Sequence, residues 1–198
     1  MSDRDQVKRA LRALLTHRKP ERLTGADDGY THASVLLPLF IKDGRYWILF
    51  MRRTNTVEYH KGQVSFPGGA VDAGDESLEH TARRETFEEV GIREEDIEIL
   101  GQLDDMMTMT SGFIVHPFVG MIPFPYAFRV NEREVDYLIE VPLQFFLDNS
   151  QPQDVTVTDG GITLHAPAFV YKDTIIWGAT QRILMDFLSL IKHEISLI

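Results

Sequence analysis

Runs of hydrophobic residues divide the chain into short segments that are typical of strands. Residues 32–41 and 45–51 are rich in Val, Leu, Ile and aromatic side chains, and Lys42-Asp43-Gly44 separates them. Because Asp-Gly sequences favour tight turns, these two runs predict antiparallel strands joined by a hairpin. Further strand-like runs cover residues 97–103, 114–122, 137–142 and 162–171. The sequence therefore predicts a fold built around a sheet.

Helical spacing of apolar residues predicts four helices. The first extends from Asp5 to Leu15. The second extends from Ser77 to Val90, with Asp75 or Ser77 as its cap and Gly91 at its end. The other two predicted helices cover residues 143–149 and 180–194. Because helices and strands do not alternate regularly, we expect an α/β protein of the α+β kind with a mixed sheet, rather than an alternating parallel fold.

Two segments fit neither pattern. Residues 149–161 are polar and contain Pro and Gly, which predicts a mobile loop that could border a substrate. Residues 63–66 are predicted to be short and extended, because the residue before Pro67 is biased away from helix. Gly68-Gly69 then permits a turn that side chains would block.

Length and composition limit the classes of function. A chain of 198 residues with 43% hydrophobic residues suits one domain over residues 1–198. The net charge of −10 argues against binding to nucleic acid or to anionic membranes, which normally requires basic patches. The absence of cysteine excludes disulfides and thiol catalysis. Because the N-terminus does not resemble a secretion signal and no apolar run is long enough to span a membrane, we expect a cytoplasmic protein.

The segment 68–92 carries the clearest chemistry. Its sequence is GGAVDAGDESLEHTARRETFEEVGI. Glu85, Glu88 and Glu89 are three and four residues apart, so a helix places them on one face, where three carboxylates repel one another unless a cation neutralises them. A solvated helix face is the alternative interpretation. Hard cations such as Mg²⁺ are commonly held by carboxylates together with substrate phosphates, so we expect a substrate that carries phosphate.

These residues resemble the Nudix box, in which a glycine is followed by REUxEExGU, with U aliphatic. Thr86 is a polar exception at a U position, and one extra residue precedes Arg84. That extra residue matches the branch of the family that resembles coenzyme A pyrophosphatases, GGxxDxxDxSxxxTAxRE. The residues that match this branch are Gly68, Gly69, Asp72, Asp75, Ser77, Thr81, Ala82, Arg84 and Glu85.

A second stretch, residues 49–69, is similar to an additional signature of the same branch. Its matching positions are Arg53, Gly62, Phe66, Pro67, Gly68 and Gly69. Thr54 replaces the usual Ser or Ala, and Glu58 replaces the usual arginine, which removes a positive charge that could meet a phosphate. Arg53, His60 and Lys61 could supply that charge instead and are our candidate substrate-binding residues. Residues 110–120, 134–143 and 175–184 also resemble this branch.

The resemblance implies a Nudix-type α/β/α sandwich and a site for Mg²⁺ or Mn²⁺. The predicted ligands are the Gly69 carbonyl and the carboxylates of Glu85, Glu88 and Glu89. Glu134, from a later loop, is a further candidate ligand or general base. Arg84 points away from the acidic face by its spacing, and family usage implies that it orients a glutamate by ion pairing. Asp72 and Asp75 are left between helix capping or loop solvation and direct catalysis.

The predicted activity is hydrolysis of coenzyme A or acyl-coenzyme A at the pyrophosphate, which gives 3′,5′-ADP and 4′-phosphopantetheine or its acyl form. Two alternatives stay open. The first is a Nudix pyrophosphatase of another nucleotide, such as ADP-ribose, NADH or a dinucleoside polyphosphate. The second is an inactive sensor that binds a ligand through the same fold. The expected partner is a small diphosphate, and a homodimer is among the assemblies that the sequence allows.

Overall fold

The computed structural model describes residues 3–23, 29–56, 60–108, 111–159 and 161–192, with side chains omitted for residues 3–5 and 159. The helices are α1 (Asp3–His17), α2 (Leu78–Val90), α3 (Leu143–Asp148) and α4 (Gly178–Ile191), and a 3₁₀ turn covers Glu94–Asp96. The strands are β1 (Thr31–Lys42), β2 (Arg45–Arg53), β3 (Val64–Ser65), β4 (Gly68–Ala70), β5 (Glu98–Gln102), β6 (Met106–Met107), β7 (Phe113–Met121), β8 (Val135–Pro142), β9 (Gln153–Asp159), β10 (Ile162–Tyr171) and β11 (Thr174–Trp177). All four predicted helices are present, and the end of the fourth at residues 193–194 lies outside the described residues.

The main sheet is mixed, as the sequence predicts. Its central order is β3-β2-β1-β7-β5, with β4 on β1, β6 on β7 and β8 on β2. β1 and β7 are parallel, and the other pairs in this sheet are antiparallel. β9, β10 and β11 form a separate antiparallel sheet. The predicted β1–β2 hairpin is confirmed, with Asp43 and Gly44 at positive φ in its turn.

Helices cover both faces of the main sheet. On one face, Leu37 and Leu39 of β1 share a core with α1 and α4, which contribute Leu11 and Phe187 among others. On the opposite face, the alternate residues Leu36 and Phe40 pack with α2, whose buried apolar residues include Ala82 and Val90. Because side chains alternate across a strand, β1 serves both cores. The predicted sandwich is thus confirmed, whereas the extent of a single domain over 1–198 stays a prediction.

Two predictions of irregular structure are wrong. Residues 149–161 include β9, which pairs with β10 along its length. There Val157 is buried and Thr156 and Thr158 are exposed, so β-branched threonines on the outer face made a strand look like a polar loop. Gly68 and Gly69 lie in β4 and pair with β1 rather than forming a free turn.

Within the described part of the chain, none of the helices is long and apolar enough to cross a membrane.

Candidate active site

The helix α2 carries the predicted metal-binding residues, and local signals fix both of its ends. The Ser77 side chain accepts a hydrogen bond from the His80 N–H, so Ser77 rather than Asp75 is the cap. Gly91 ends the helix in the left-handed conformation with φ +74°, as glycine does readily. Thr86 is fully buried, and its hydroxyl donates to the Ala82 carbonyl at 2.6 Å. A polar residue is therefore tolerated at an aliphatic position of the motif.

The three glutamates of α2 differ in exposure. The side chain of Glu88 is 54% exposed, that of Glu85 is 16% exposed, and that of Glu89 is 2% exposed. Glu89 therefore lies deepest, between the helix and the sheet. The alternative of a solvated helix face describes Glu88 but not the other two.

Glu89 is held between two donors from separate elements. The Gly68 N–H of β4 donates to Glu89 Oε2 at 2.8 Å. Arg53, at the end of β2, donates from Nη1 to Glu89 Oε1 at 3.3 Å. The folded chain thus brings the predicted substrate-binding Arg53 directly to a predicted metal ligand. The Arg53 Nε is buried and has no hydrogen-bond partner among the residues that the structure describes.

Glu134 joins the same cluster although it lies 45 positions beyond Glu89 in the sequence. The Asn131 N–H donates to the Glu89 carbonyl, and the Asn131 side chain donates to Glu134 Oε1 at 3.0 Å. The Thr54 N–H, next to Arg53, donates to the Glu134 carbonyl at 2.9 Å. These bonds fix the start of β8 against the end of α2. Burial is the main cause that raises the pKa of both Glu85 and Glu89, and the Glu134 charge raises the two pKa values further.

Arg84 does not point away from the acidic residues. Its Nη1 donates to Glu85 Oε1 at 2.7 Å and to Glu88 Oε2 at 3.3 Å, and its Nη2 donates to the Ala70 carbonyl. Both carboxylate oxygens of Asp75 accept hydrogen bonds from the same guanidinium, at 2.8 and 2.9 Å. The orientation of a glutamate by Arg84 is consistent with this geometry. Asp75, whose role sequence reasoning left undecided, is the residue that holds Arg84 in place.

Replacing Asp75 with asparagine should destabilise the protein. The Arg84 guanidinium holds the pKa of the Asp75 carboxyl well below its ordinary value of 3.8. A lowered folded-state pKa stabilises the protein above the ordinary carboxyl range, and this contribution is lost as the pH falls through the folded-state pKa. We expect Asp75→Asn to lower the free energy of unfolding by about 2–3 kcal/mol at neutral pH. The difference from wild type should shrink in acid.

Urea unfolding at neutral and acidic pH measures both quantities. Asp72→Asn is a matched control in the same loop, because Asp72 is 76% exposed and lies 3.8 Å from Arg84. An exposed pair of this kind contributes about 0–1 kcal/mol, so the control should behave like wild type. Equal stability of Asp75→Asn and Asp72→Asn would contradict the assigned role of Asp75.

The donor set suits a hard divalent cation. Burial raises the pKa of Glu89 to about 8, against the lowering effects of the Gly68 N–H and Arg53, and burial also raises the pKa of Glu85. Clustered carboxylates that resist ionisation are the groups that a cation would stabilise in charged form. A methyl group at Gly69 would overlap the Glu85 carboxylate, so the backbone of Gly69 borders these oxygens directly.

The carboxylates are engaged with arginines in this arrangement. Arg84 holds Glu85 and Glu88, and Arg53 holds Glu89. Among the residues that the structure describes, no three carboxylate or imidazole groups stand close enough together to hold an ion. The chemistry of the donors fits the cation, and binding requires these side chains to turn from the arginines. The ligand roles of Gly69, Glu85, Glu88, Glu89 and Glu134 stay predictions.

The other candidate substrate-binding residues are not drawn into this cluster. His60 lies in a turn at φ +56°, and its carbonyl accepts from the Gln63 N–H. No hydrogen bond or ion pair within the described ranges joins the side chains of His60 or Lys61 to the carboxylates. Glu58, where the branch pattern has arginine, lies outside the described residues.

Comparisons with known proteins agree on one family. The model of the NUDIX domain matches residues 30–148. The protein named Uncharacterized Nudix hydrolase NudL from Photorhabdus laumondii is 37% identical over 165 residues, which cover 83% of this chain and 86% of that protein. This likeness extends beyond the region that contains the box. The similarity therefore supports a shared fold over most of the chain.

Solved structures agree on the fold. A MutT/nudix family protein from Enterococcus faecalis superposes with a TM-score of 0.56 at 13% identity, covering 98% of this chain and 76% of that one. The NUDIX domain of NrtR from Shewanella oneidensis, solved as a cocrystal with ADP-ribose, gives a TM-score of 0.50 at 19% identity, with 75% and 88% covered. The family match, the NudL likeness and the intact acidic helix show together that this chain belongs to the Nudix hydrolase family and is a pyrophosphohydrolase.

Proposed function

We propose that the protein hydrolyses coenzyme A or acyl-coenzyme A at the pyrophosphate, giving 3′,5′-ADP and 4′-phosphopantetheine or its acyl form, with Mg²⁺ or Mn²⁺ as cofactor. The observation that carries the chemistry is that two buried carboxylates of α2 lie beside the glycine pair of β4, with Glu85 bordering the backbone of Gly69 and Glu89 accepting from the Gly68 N–H. The choice of substrate is supported by the two stretches that resemble coenzyme A pyrophosphatases, residues 49–69 and 68–92. Arg53, in the first stretch, contacts Glu89, in the second.

Nudix hydrolases generally use divalent metal cations. Here the carbonyl of Gly69 and the carboxylates of Glu85, Glu88 and Glu89 would hold the cation, with Glu134 as a further ligand. When bound, a divalent cation polarises the diphosphate and lowers the pKa of an attacking water. Arg84 fixes the direction of the Glu85 carboxylate, and Asp75 fixes Arg84. The chain thus supplies a positioned oxygen cluster without covalent catalysis.

A proton must leave the attacking water, and two carboxylates are candidates for accepting it. Glu88 is exposed, and its contact with Arg84 is long at 3.3 Å, so its side chain can turn toward a bound substrate. Glu134 is half-buried and is oriented by Asn131. A general base must come within hydrogen-bond reach of the water, directly or through another water. Glu88 and Glu134 are therefore our two candidates for the general base.

Arg53 would meet the substrate phosphate from the sheet side. Its side chain is 20% exposed and contacts Glu89 through Nη1. A guanidinium with free donors suits phosphate, which accepts paired hydrogen bonds. His60 and Lys61 stay candidates for a second phosphate contact. Their loop follows Arg53 and returns to it through the bond from the Arg53 N–H to the Gln63 carbonyl.

A different nucleotide is the second candidate. Glu58 replaces the arginine of the coenzyme A pattern, and the NrtR domain of similar fold was solved with ADP-ribose. An ADP-ribose or NADH pyrophosphatase would use the same carboxylates. A sensor without turnover is disfavoured by the complete set of Glu85, Glu88 and Glu89.

Mass analysis of products tests the proposal. With Mg²⁺, the wild type should convert coenzyme A to 3′,5′-ADP and 4′-phosphopantetheine faster than it cleaves NADH or ADP-ribose at equal concentration. Addition of EDTA should abolish the conversion. Faster cleavage of ADP-ribose or NADH would replace the proposed substrate, and tight binding without any product would favour the sensor.

A further inference from the structure

A pocket of about 600 Å³ opens at the C-terminal end of α2, beside the catalytic helix face. Its wall contains the exposed Glu88 of the predicted metal cluster and the neighbouring Phe87. Phe87 is 50% exposed, which is unusual for a large apolar side chain that has a helix face to bury. Tyr126 adds a second aromatic ring to the wall. The pocket therefore joins an aromatic surface to one of the predicted metal ligands.

The pocket also contains a cation that pairs with no carboxylate in the described part of the chain. Arg93 and Arg129 both line the wall, but Arg93 is paired with Asp96 at 2.8 Å. Arg129 is exposed and forms no ion pair with any residue in the described ranges. In a chain of net charge −10, a free cation next to an acidic helix is a local exception. Its charge is available to an anion that enters the pocket.

Backbone contacts hold Arg129 against the C-terminal end of α2. The Arg129 N–H donates to the Val90 carbonyl at 3.0 Å, and a methyl group at Gly91 would lie 2.8 Å from Arg129 Cβ. Gly91 thus allows the segment before β8 to cross the helix end in direct contact. Gly91 follows Glu88 by three residues, which corresponds to about 4.5 Å of helix rise. The Arg129 backbone is therefore anchored at the C-terminal end of the helix, directly after Glu88 and Glu89.

We infer that this pocket binds the phosphorylated nucleoside arm of the substrate, with Arg129 on a phosphate of the ribose and Phe87 against the base. The inference rests on the proposed function and identifies the part of the substrate that this pocket binds. In coenzyme A, the ribose separates a 3′-phosphate from the pyrophosphate, so a substrate held at Glu88 presents a second anion a short distance away. An aromatic face stacks on any base, and a guanidinium contacts phosphate through several donors.

The same geometry predicts specificity. A nucleotide that lacks the ribose phosphate leaves Arg129 without an anion, so it gains only the stacking contact. The pocket therefore favours substrates with a phosphate on the ribose over ADP-ribose and NADH. Arg129 is a specificity-determining residue, whereas the carboxylates that hold the cation remain common to every substrate.

Kinetics with coenzyme A and with its analogue lacking the 3′-phosphate test the inference. In the wild type, KM for the analogue should be about tenfold higher than KM for coenzyme A, the effect of losing one charge-assisted contact. In Arg129→Gln, the two KM values should be equal. Arg45→Gln is the matched control, because Arg45 is an exposed arginine at the start of β2, at the opposite end of that strand from Arg53. The control should keep the wild-type ratio.

A binding measurement separates this inference from the proposed function. Titration calorimetry with 3′,5′-ADP and with 5′-ADP should show about tenfold tighter binding of the former, and Arg129→Gln should remove the difference. Phe87→Ala should weaken the binding of both nucleotides. An unchanged preference in Arg129→Gln overturns the inference even if coenzyme A is hydrolysed. Loss of the preference without any turnover of coenzyme A overturns the proposed function and leaves the pocket assignment standing.

Discussion

Replacing Glu89 with glutamine should abolish metal-dependent hydrolysis while the protein remains folded. Glu89 is 2% exposed and lies between Gly68 and Arg53. Its carboxylate can therefore contact a cation held by the neighbouring carboxylates, and water cannot enter to take its place as a ligand. Glutamine keeps the shape and still accepts the Gly68 N–H, but it lacks the charge that a divalent cation requires. We expect kcat/KM to fall by at least about 10²- to 10³-fold, the loss typical of removing one preorganised electrostatic contact.

Steady-state kinetics at saturating Mg²⁺ measure this loss, and urea unfolding without metal measures stability. The free energy of unfolding should change by no more than about 1 kcal/mol, the net value of one hydrogen bond. Glu79→Gln is the matched control on the same helix, because Glu79 is 43% exposed and, within the described ranges, pairs with Arg83 alone. Full activity in Glu89→Gln, or equal losses in both variants, would contradict the assignment.

Alanine at Gly68 should mainly lower stability, whereas alanine at the adjacent Gly69 should mainly lower activity. At Gly68, φ is +150°, and the added Cβ would overlap the Ser34 carbonyl oxygen and lie 2.6 Å from Val35 Cα. Those are backbone atoms of β1 that cannot turn aside. We expect Gly68→Ala to lower the free energy of unfolding by about 3–5 kcal/mol, in the range reached by overpacking combined with backbone strain.

At Gly69 the three atoms nearest to the added Cβ would all belong to the Glu85 carboxylate, with Oε1 at 2.7 Å. The end of a flexible side chain can move, so Gly69→Ala should lose only about 1 kcal/mol of stability but about 10²-fold in kcat/KM, because Glu85 is displaced from the cluster. Parallel urea unfolding and kinetics on the two variants separate the outcomes. An active, stable Gly68→Ala protein would contradict the close contact between β4 and β1.

The elements of the fold could be predicted from local pattern. The 32–41 and 45–51 runs and their Asp-Gly turn appear as β1 and β2, and the spacing within Ser77–Val90 appears as α2. These features depend on residues near one another in sequence. The β9 strand was missed because Thr156 and Thr158 count as polar although their branched side chains favour strands. Hydrophobicity alone did not distinguish the outer face of a strand from a loop.

The internal geometry of the site could not be predicted in the same way. The contact of Arg53 with Glu89 depends on the positions of β2 and α2 in the fold, and the position of Glu134 depends on Asn131 binding the end of that helix. Spacing alone placed Arg84 away from the acidic face, whereas its long side chain reaches Glu85 and Glu88 while Asp75 holds it from the box loop. The lengths of the side chains and their tertiary contacts therefore determine the geometry of the site, which the sequence motif does not specify.

Titration calorimetry of Mn²⁺ into metal-free protein tests the central claim most directly, because it measures cation binding without any substrate. The wild type should bind Mn²⁺, and a Glu85→Gln, Glu89→Gln double variant should lose that binding, while Glu79→Gln binds like wild type. The same samples should remain folded in urea unfolding. Equal binding of Mn²⁺ to the wild type and to the folded double variant would show that the carboxylates of α2 do not hold the cation.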